Sequence, residues 1–99
     1  MKVRLSGPAR RQADRLDRWW RENRPATRDL FAQELAAAQT QLAHSPERGV
    51  IYAERNGVIV RRILLPKTEN HIYLEIDRSS GVVMIIALWG AKKGKGPRL

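Results

Sequence analysis

Residues 50–65 read Val50-Ile51-Tyr52-Ala53-Glu54-Arg55-Asn56-Gly57-Val58-Ile59-Val60-Arg61-Arg62-Ile63-Leu64-Leu65, and this stretch decides the fold. Two apolar, β-branched runs, Val50 to Ala53 and Val58 to Leu65, flank Arg55-Asn56-Gly57. Asn-Gly is the strongest short-range hairpin signal, because a type I′ turn needs positive φ at both central residues. Two antiparallel strands follow from it. Downstream, Pro66 to Asn70 makes another turn, and His71 to Asp77 alternates. Ile72, Leu74 and Ile76 face one way there, Tyr73 and Glu75 the other. Arg78-Ser79-Ser80-Gly81 turns the chain again, and Val82 to Leu88 is apolar at every position. That pattern predicts a strand internal to the sheet and covered on both faces.

Upstream of Val50 the hydrophobic period is that of helices. Ala9, Ala13, Leu16 and Trp20 form an apolar stripe, with Arg10, Arg11, Arg15, Arg18 and Arg21 around the rest of the helix. Ser6 is placed to cap it, and Pro8 sits in the first turn, where its missing donor does no harm. Asn23-Arg24-Pro25 ends it, since a residue before proline avoids helical dihedrals. Phe31, Leu35, Ala38 and Leu42 predict a second helix over about Pro25 to Ala43, stopped by Ser45-Pro46 and Gly49. The short link makes an antiparallel helix hairpin. Ahead of it, Val3 and Leu5 alternate with Lys2 and Arg4 as a short strand that would help enclose Val82–Leu88. The expected architecture is α+β: an N-terminal strand, a helix hairpin, then a three- to four-stranded antiparallel meander. Residues 1–90 make one domain, and residues 91–99 a basic, flexible tail.

Composition narrows the chemistry. Ninety-nine residues leave room for one core. Nineteen Lys and Arg against ten Asp and Glu give +9, which favours a polyanionic partner. With no cysteine and only His44 and His71, there is no disulfide, no thiolate chemistry and no zinc spacing, so no metal site is expected. Gly94-Lys95-Gly96-Pro97 is neither a dinucleotide fingerprint nor a P-loop, and no cofactor is expected. Ser79, His71 and Asp77 lack a nucleophile elbow and read as coincidence. The start lacks the apolar run of a signal peptide, and the longest apolar stretch, Val82 to Trp89, falls far short of the roughly twenty residues a spanning helix needs. A cytoplasmic protein without a membrane partner is expected.

The order of elements resembles the RelE/ParE superfamily of bacterial type II toxins. The resemblance rests on Leu5-Ser6-Gly7-Pro8-Ala9 opening the first helix, the Asn23-Arg24-Pro25 break, and Leu42 through Pro46 to Gly49 closing the second. It continues with Val60-Arg61-Arg62-Ile63-Leu64, with His71-Ile72-Tyr73-Leu74-Glu75-Ile76-Asp77, and with Val82 to Gly90 before a basic end. It implies a growth-inhibiting toxin, of the plasmid-stabilisation kind, neutralised by a cognate ParD/RelB-like antitoxin. It also implies one of two targets. One branch cuts mRNA on the ribosome without a metal; the ParE branch, similar in fold, poisons DNA gyrase.

Cleavage through a 2′-OH needs a base, an acid for the leaving oxygen and cations for the crowded phosphate. The candidates are Arg61, Arg62, His71, Tyr73, Lys92 and Lys93. Arg61 and Arg62 lie on opposite strand faces, so only one can enter a given site. The Arg-Arg pair matches the family position where nuclease members carry a phosphate-binding arginine. Nuclease members usually carry a functional Tyr or His near the C-terminal end, whereas nothing after Tyr73 is Tyr or His here. An unperturbed lysine is a poor proton shuttle at neutral pH. The set is thin for an enzyme, and gyrase poisoning by binding is the preferred reading. Ribosome-dependent mRNA cleavage is the alternative, and a basic nucleic-acid-binding domain without toxicity is the second.

Two surfaces are expected to bind. For the target these are Arg61, Arg62, Trp89, Lys92, Lys93, Lys95 and Arg98. For the antitoxin they are Trp19, Arg15, Arg18 and Arg62. Trp19 lies three residues after Leu16, so it either widens the core stripe or stands out as an anchor for an amphipathic segment.

Overall fold

A computed structural model describes all the residues, Met1–Leu99. Strand β1 (Lys2–Leu5) leads into helix α1 (Gly7–Asn23), a 3₁₀ turn (Pro25–Thr27) and helix α2 (Leu30–His44). Strands β2 (Val50–Arg55), β3 (Val58–Leu65), β4 (Asn70–Asp77) and β5 (Val82–Gly90) follow, then a second 3₁₀ turn (Ala91–Lys93). The five strands form one sheet in the order β1-β5-β4-β3-β2. β1 runs parallel to β5, and every other pairing is antiparallel. The meander therefore has four strands, and β5 is internal, flanked by β1 as the alternation of Val3 and Leu5 implies.

The local signals act as their chemistry requires. Asn56 and Gly57 hold φ of 51° and 78°, the left-handed pair a type I′ turn needs. The Ser6 hydroxyl accepts from the Ala9 amide at 3.2 Å and caps α1. The second helix departs from expectation at its start. Pro25–Thr27 makes a 3₁₀ turn, Asp29 takes φ −95° and ψ 1°, and α2 begins only at Leu30. Asp29 is an N-cap residue that makes no cap: its carboxylate instead pairs with Arg21 of α1 at 3.0 Å. The ion pair ties the start of α2 to α1, and the residues from Pro25 to Thr27 form the 3₁₀ turn instead of a first helical turn.

Both helices lie on one face of the sheet, α1 over β5 and α2 over β1 and β3. Ala9, Ala13, Phe31, Ala38 and Leu42 pack there against Ile72, Leu74, Val83, Ile85 and Leu88. The other face carries no helix. On it Val60, Tyr73, Ile86 and Ala87 form a smaller apolar cluster with Ala53, Met84 and Trp89 at its border. The expectation that β5 is internal and covered on both faces holds, with helices over Val83, Ile85 and Leu88 and no helix over Ile86 and Ala87, which are buried all the same. Within the run a β-bulge shifts the register. Tyr73 pairs with Ala87 but Leu74 with Ile85, so Ile86 is an extra residue. Ile86 and Ala87 both belong to the open-face cluster before Leu88 returns to the helix side.

Candidate functional site

Cross-strand register builds the open face row by row. Leu64, His71 and Trp89 pair across β3, β4 and β5; Arg62, Tyr73 and Ala87 form the next row; Val60, Glu75 and Met84 the third. The Arg62 guanidinium lies 5.0 Å from the centroid of the Tyr52 ring, and Tyr52 packs edge-on against Tyr73 with centroids 4.8 Å apart. His71 stands 6.1 Å from Tyr73, also edge-on. Arg62, His71 and Tyr73 are therefore brought together. Arg61 is not. It points to the opposite side, where its Nη1 donates to the Gly49 carbonyl at 3.0 Å and more weakly to that of Glu47. Arg61 clasps the loop before β2, on the face away from Arg62, His71 and Tyr73.

Electrostatics shape the cluster further. Burial pushes the His71 pKa below its ordinary value near 6.5, and the Arg62 charge adds to this, so the ring is neutral at pH 7. Burial raises the Tyr73 hydroxyl above 10.0, and Tyr52 adds to the rise while Arg62 opposes it. Tyr73 is only 1 % exposed. Its roof is the C-terminal tail. The Trp89 Nε1–H donates to the Lys95 carbonyl at 2.6 Å, Lys93 Nζ sits 4.6 Å from the Trp89 ring centroid, and Gly96 lies against the Tyr52 and Tyr73 hydroxyls. A Cβ on residue 96 would come within 3.5 Å of the Tyr73 hydroxyl and collide with that of Tyr52. The tail expected to be without regular structure makes a 3₁₀ turn and then crosses this face.

The second surface is a groove between α1 and the end of β5. Past Leu5 and Ile85, β1 no longer pairs with β5. The bare edge is closed by a side chain: the Gln12 amide oxygen accepts from the Leu88 N–H at 2.8 Å. Gln12, Arg15, Leu16 and Trp19 line one side of a cavity of about 440 Å³, with Trp89 and Lys93 on the other. Trp19 is 46 % exposed, so it is not part of the core stripe, and Arg24 lies 5.3 Å from its ring centroid. Trp20 packs edge-on beside it and against the core. Arg15 and Trp19 of the expected antitoxin set share this groove, and Arg18 is exposed on the same helix. Arg62 is separated from them by the sheet. Of the target set, Lys92 pairs with Glu69 at 2.9 Å at the groove's far end, and Lys95 and Arg98 are exposed in the tail. Lys92 thus stands at the far end of the groove, while Lys93 lies over Trp89, the cross-strand neighbour of His71.

Sequence reasoning missed Tyr52, Gln12, Arg24 and Lys67. Tyr52 is turned inward by an irregularity of β2 between Ile51 and Ala53, which no periodicity announces. Gln12 could be found only once the length of β1 was known. No group of three His, Cys, Asp or Glu side chains comes together that could hold a metal, and no helix is long and apolar enough to cross a membrane.

A strand, a helix hairpin and an antiparallel meander with a cation-bearing open face define an α+β toxin of the RelE/ParE superfamily of type II toxin–antitoxin systems. The fold is similar to that of the isolated Escherichia coli RelE toxin, with a TM-score of 0.51 and 15 % identity over 94 % of this chain and 86 % of that one. Residues 3–93 match the model of the ParE toxin of type II toxin–antitoxin systems, parDE, and the chain belongs to the ParE toxin family. No curated protein is similar to it in sequence. Membership implies a cognate antitoxin as partner.

Proposed function

We propose that this toxin arrests growth in the cytoplasm by binding and poisoning DNA gyrase. A ParD/RelB-like antitoxin covers Arg15, Arg18 and Trp19 to neutralise it. The observation that carries this reading is the state of Tyr73. It is buried under Tyr52 and Gly96, which speaks against its use as the acid for a substrate's leaving oxygen. His71 is then left as the one candidate in the cluster with a pKa near neutrality, and an in-line RNA cleavage calls for both a base and an acid. A surface that acts by binding needs neither. Its contacts are Arg62, Trp89, Lys93, Lys95 and Arg98.

The alternative, metal-free mRNA cleavage on the ribosome, has one observation in its favour: Arg62, His71 and Tyr73 share one face. One experiment separates the two. Purified chain is added to gyrase, scored for trapped cleavage complexes, and to a translation reaction, scored for cut mRNA. Trapped complexes with intact transcripts support gyrase poisoning, and cut transcripts with normal supercoiling refute it. Removing Lys92 to Leu99 is expected to weaken growth inhibition while leaving the sheet folded; full toxicity without the tail would exclude it from the target surface.

A further inference from the structure

We propose that the groove along α1 is a binding site for single-stranded nucleic acid, a role separate from the choice of target. The cavity between α1 and β5 continues past Trp19 into a second one of about 420 Å³ against the β3–β4 turn. The two share Leu16, Trp19, Gly90 and Lys93. Trp19 stands in the combined groove, and Trp89 borders the first cavity from the edge of the sheet, with Lys93 over its ring. Arg15, Arg24, Lys67 and Lys93 stand beside them, and none of these four is ion-paired. The one carboxylate in the lining, Glu69, is held by Lys92. Aromatic platforms interleaved with free cations bind single strands: bases stack on the rings and phosphates sit on the cations, with little sequence preference.

A duplex fits less well, because its bases are already stacked and offer no face to Trp19. An extended acidic peptide also fits less well. Its usual gain at a strand edge is main-chain pairing, and the Leu88 N–H that would pair is taken by Gln12. Arg24 already lies over the Trp19 ring, and cation–π pairing and base stacking draw on the same ring faces.

The test is a titration of the purified full-length chain with oligothymidylate, with a duplex of equal length and with a poly-glutamate peptide. Intrinsic tryptophan fluorescence and anisotropy are read at several salt concentrations. Oligothymidylate is expected to quench the fluorescence and to bind more tightly than the duplex. Trp19→Ala is expected to weaken it by about fivefold or more, the low end for one base–ring stack, and Trp19→Phe to retain most of the affinity. Lys67→Glu should weaken binding and flatten the salt dependence more than Arg10→Glu, which makes the same charge change outside the groove. Circular dichroism checks that each variant is folded. Equal affinity for duplex and single strand, equal effects of the two charge reversals, or tighter Trp19-dependent binding of poly-glutamate would each overturn the proposal. None of these outcomes depends on gyrase or the ribosome, so failure here leaves the growth-arrest reading standing.

Discussion

Replacing Glu34 with alanine is expected to destabilise the fold by cutting the tie between α2 and the β3–β4 turn. Glu34 projects from α2, and its carboxylate ties the turn between β3 and β4 to the helix. One oxygen accepts from the Lys67 N–H at 2.7 Å; the other accepts from the Thr68 N–H at 3.0 Å and the Thr68 hydroxyl at 2.7 Å. Hydrogen bonds to a charged group contribute about 1.5–3 kcal/mol each. The Lys67 N–H is exposed and recovers water when the carboxylate is removed, so it counts little. Thr68 is 9 % exposed and also supports the buried Asn70, whose amide donates to the Thr68 hydroxyl at 3.1 Å. Its two bonds are the ones that matter; both are only part-buried, so water recovers part of each, which puts the net loss at about 2–3 kcal/mol. For a domain of this size that is a fall in Tm of roughly 10–20 °C. Glu34→Gln keeps an acceptor oxygen and should lose about half as much. Thermal and urea unfolding of the three proteins measure it. A loss below about 1 kcal/mol for the alanine variant would mean that the turn holds itself without the helix, and the reasoning would be wrong.

Three further outcomes follow from particular contacts. His71 titrates below its ordinary value in the folded chain, so the unfolded chain takes up its proton first as pH falls; stability should drop from about pH 6.5 downward. Arg62→Gln should move the His71 midpoint upward by NMR, and a midpoint at or above 6.5 in the unsubstituted protein would contradict the burial seen here. Gly57→Ala places a Cβ on a residue with φ 78°, with open space around it, so the cost is backbone strain alone. About 1 kcal/mol of stability should go, read by urea unfolding, and an unchanged midpoint would mean the turn is not the left-handed pair. Gly96→Val cannot fit against the Tyr52 hydroxyl, so the tail should lift. Limited proteolysis would then remove residues after Lys93 faster while Tm stays unchanged, and unaltered cleavage would show that Gly96 does not hold the tail down.

Most of the fold was legible because it is written in local signals. The Asn56-Gly57 turn, the Ser6 cap and the alternation of β4 each depend on a few adjacent residues whose dihedral or hydrogen-bonding needs have one economical solution. The start of α2 was not legible: Asp29 makes no cap there and pairs with Arg21, a residue on another helix. The bulge at Ile86 was hidden for a related reason. In a strand buried on both sides every position is apolar, so no change in alternation marks the shift of register by one. The candidate site was half readable. Strand parity alone puts His71 and Tyr73 on one face and sets Arg61 and Arg62 on opposite faces; that Arg62 is the one beside Tyr73 comes from the register of β3 against β4. That Tyr52 and Gly96 would close over Tyr73 follows only from tertiary packing.

The fate of the two adjacent arginines bears on how the +9 charge should be understood. Arg61 is bound to main-chain carbonyls, Arg55 to Glu75, Arg78 to Glu47, Arg21 to Asp17 and Asp29, and Lys92 to Glu69. Those cations hold loops and strands in place and present little free charge to a partner. The cations left unpaired at a surface with aromatic neighbours are Arg62 beside Tyr52, Lys93 over Trp89 and Arg24 over Trp19. Each lies against a ring that an incoming group could share or displace, so charge and apolar contact are offered at the same point. Diffuse attraction through net charge would respond equally to any charge reversal and would fade together with salt. Recognition at these three rings would not: single substitutions there should separate antitoxin binding, target binding and the fold itself, whereas reversing Arg10 or Arg11 should only lower association rates.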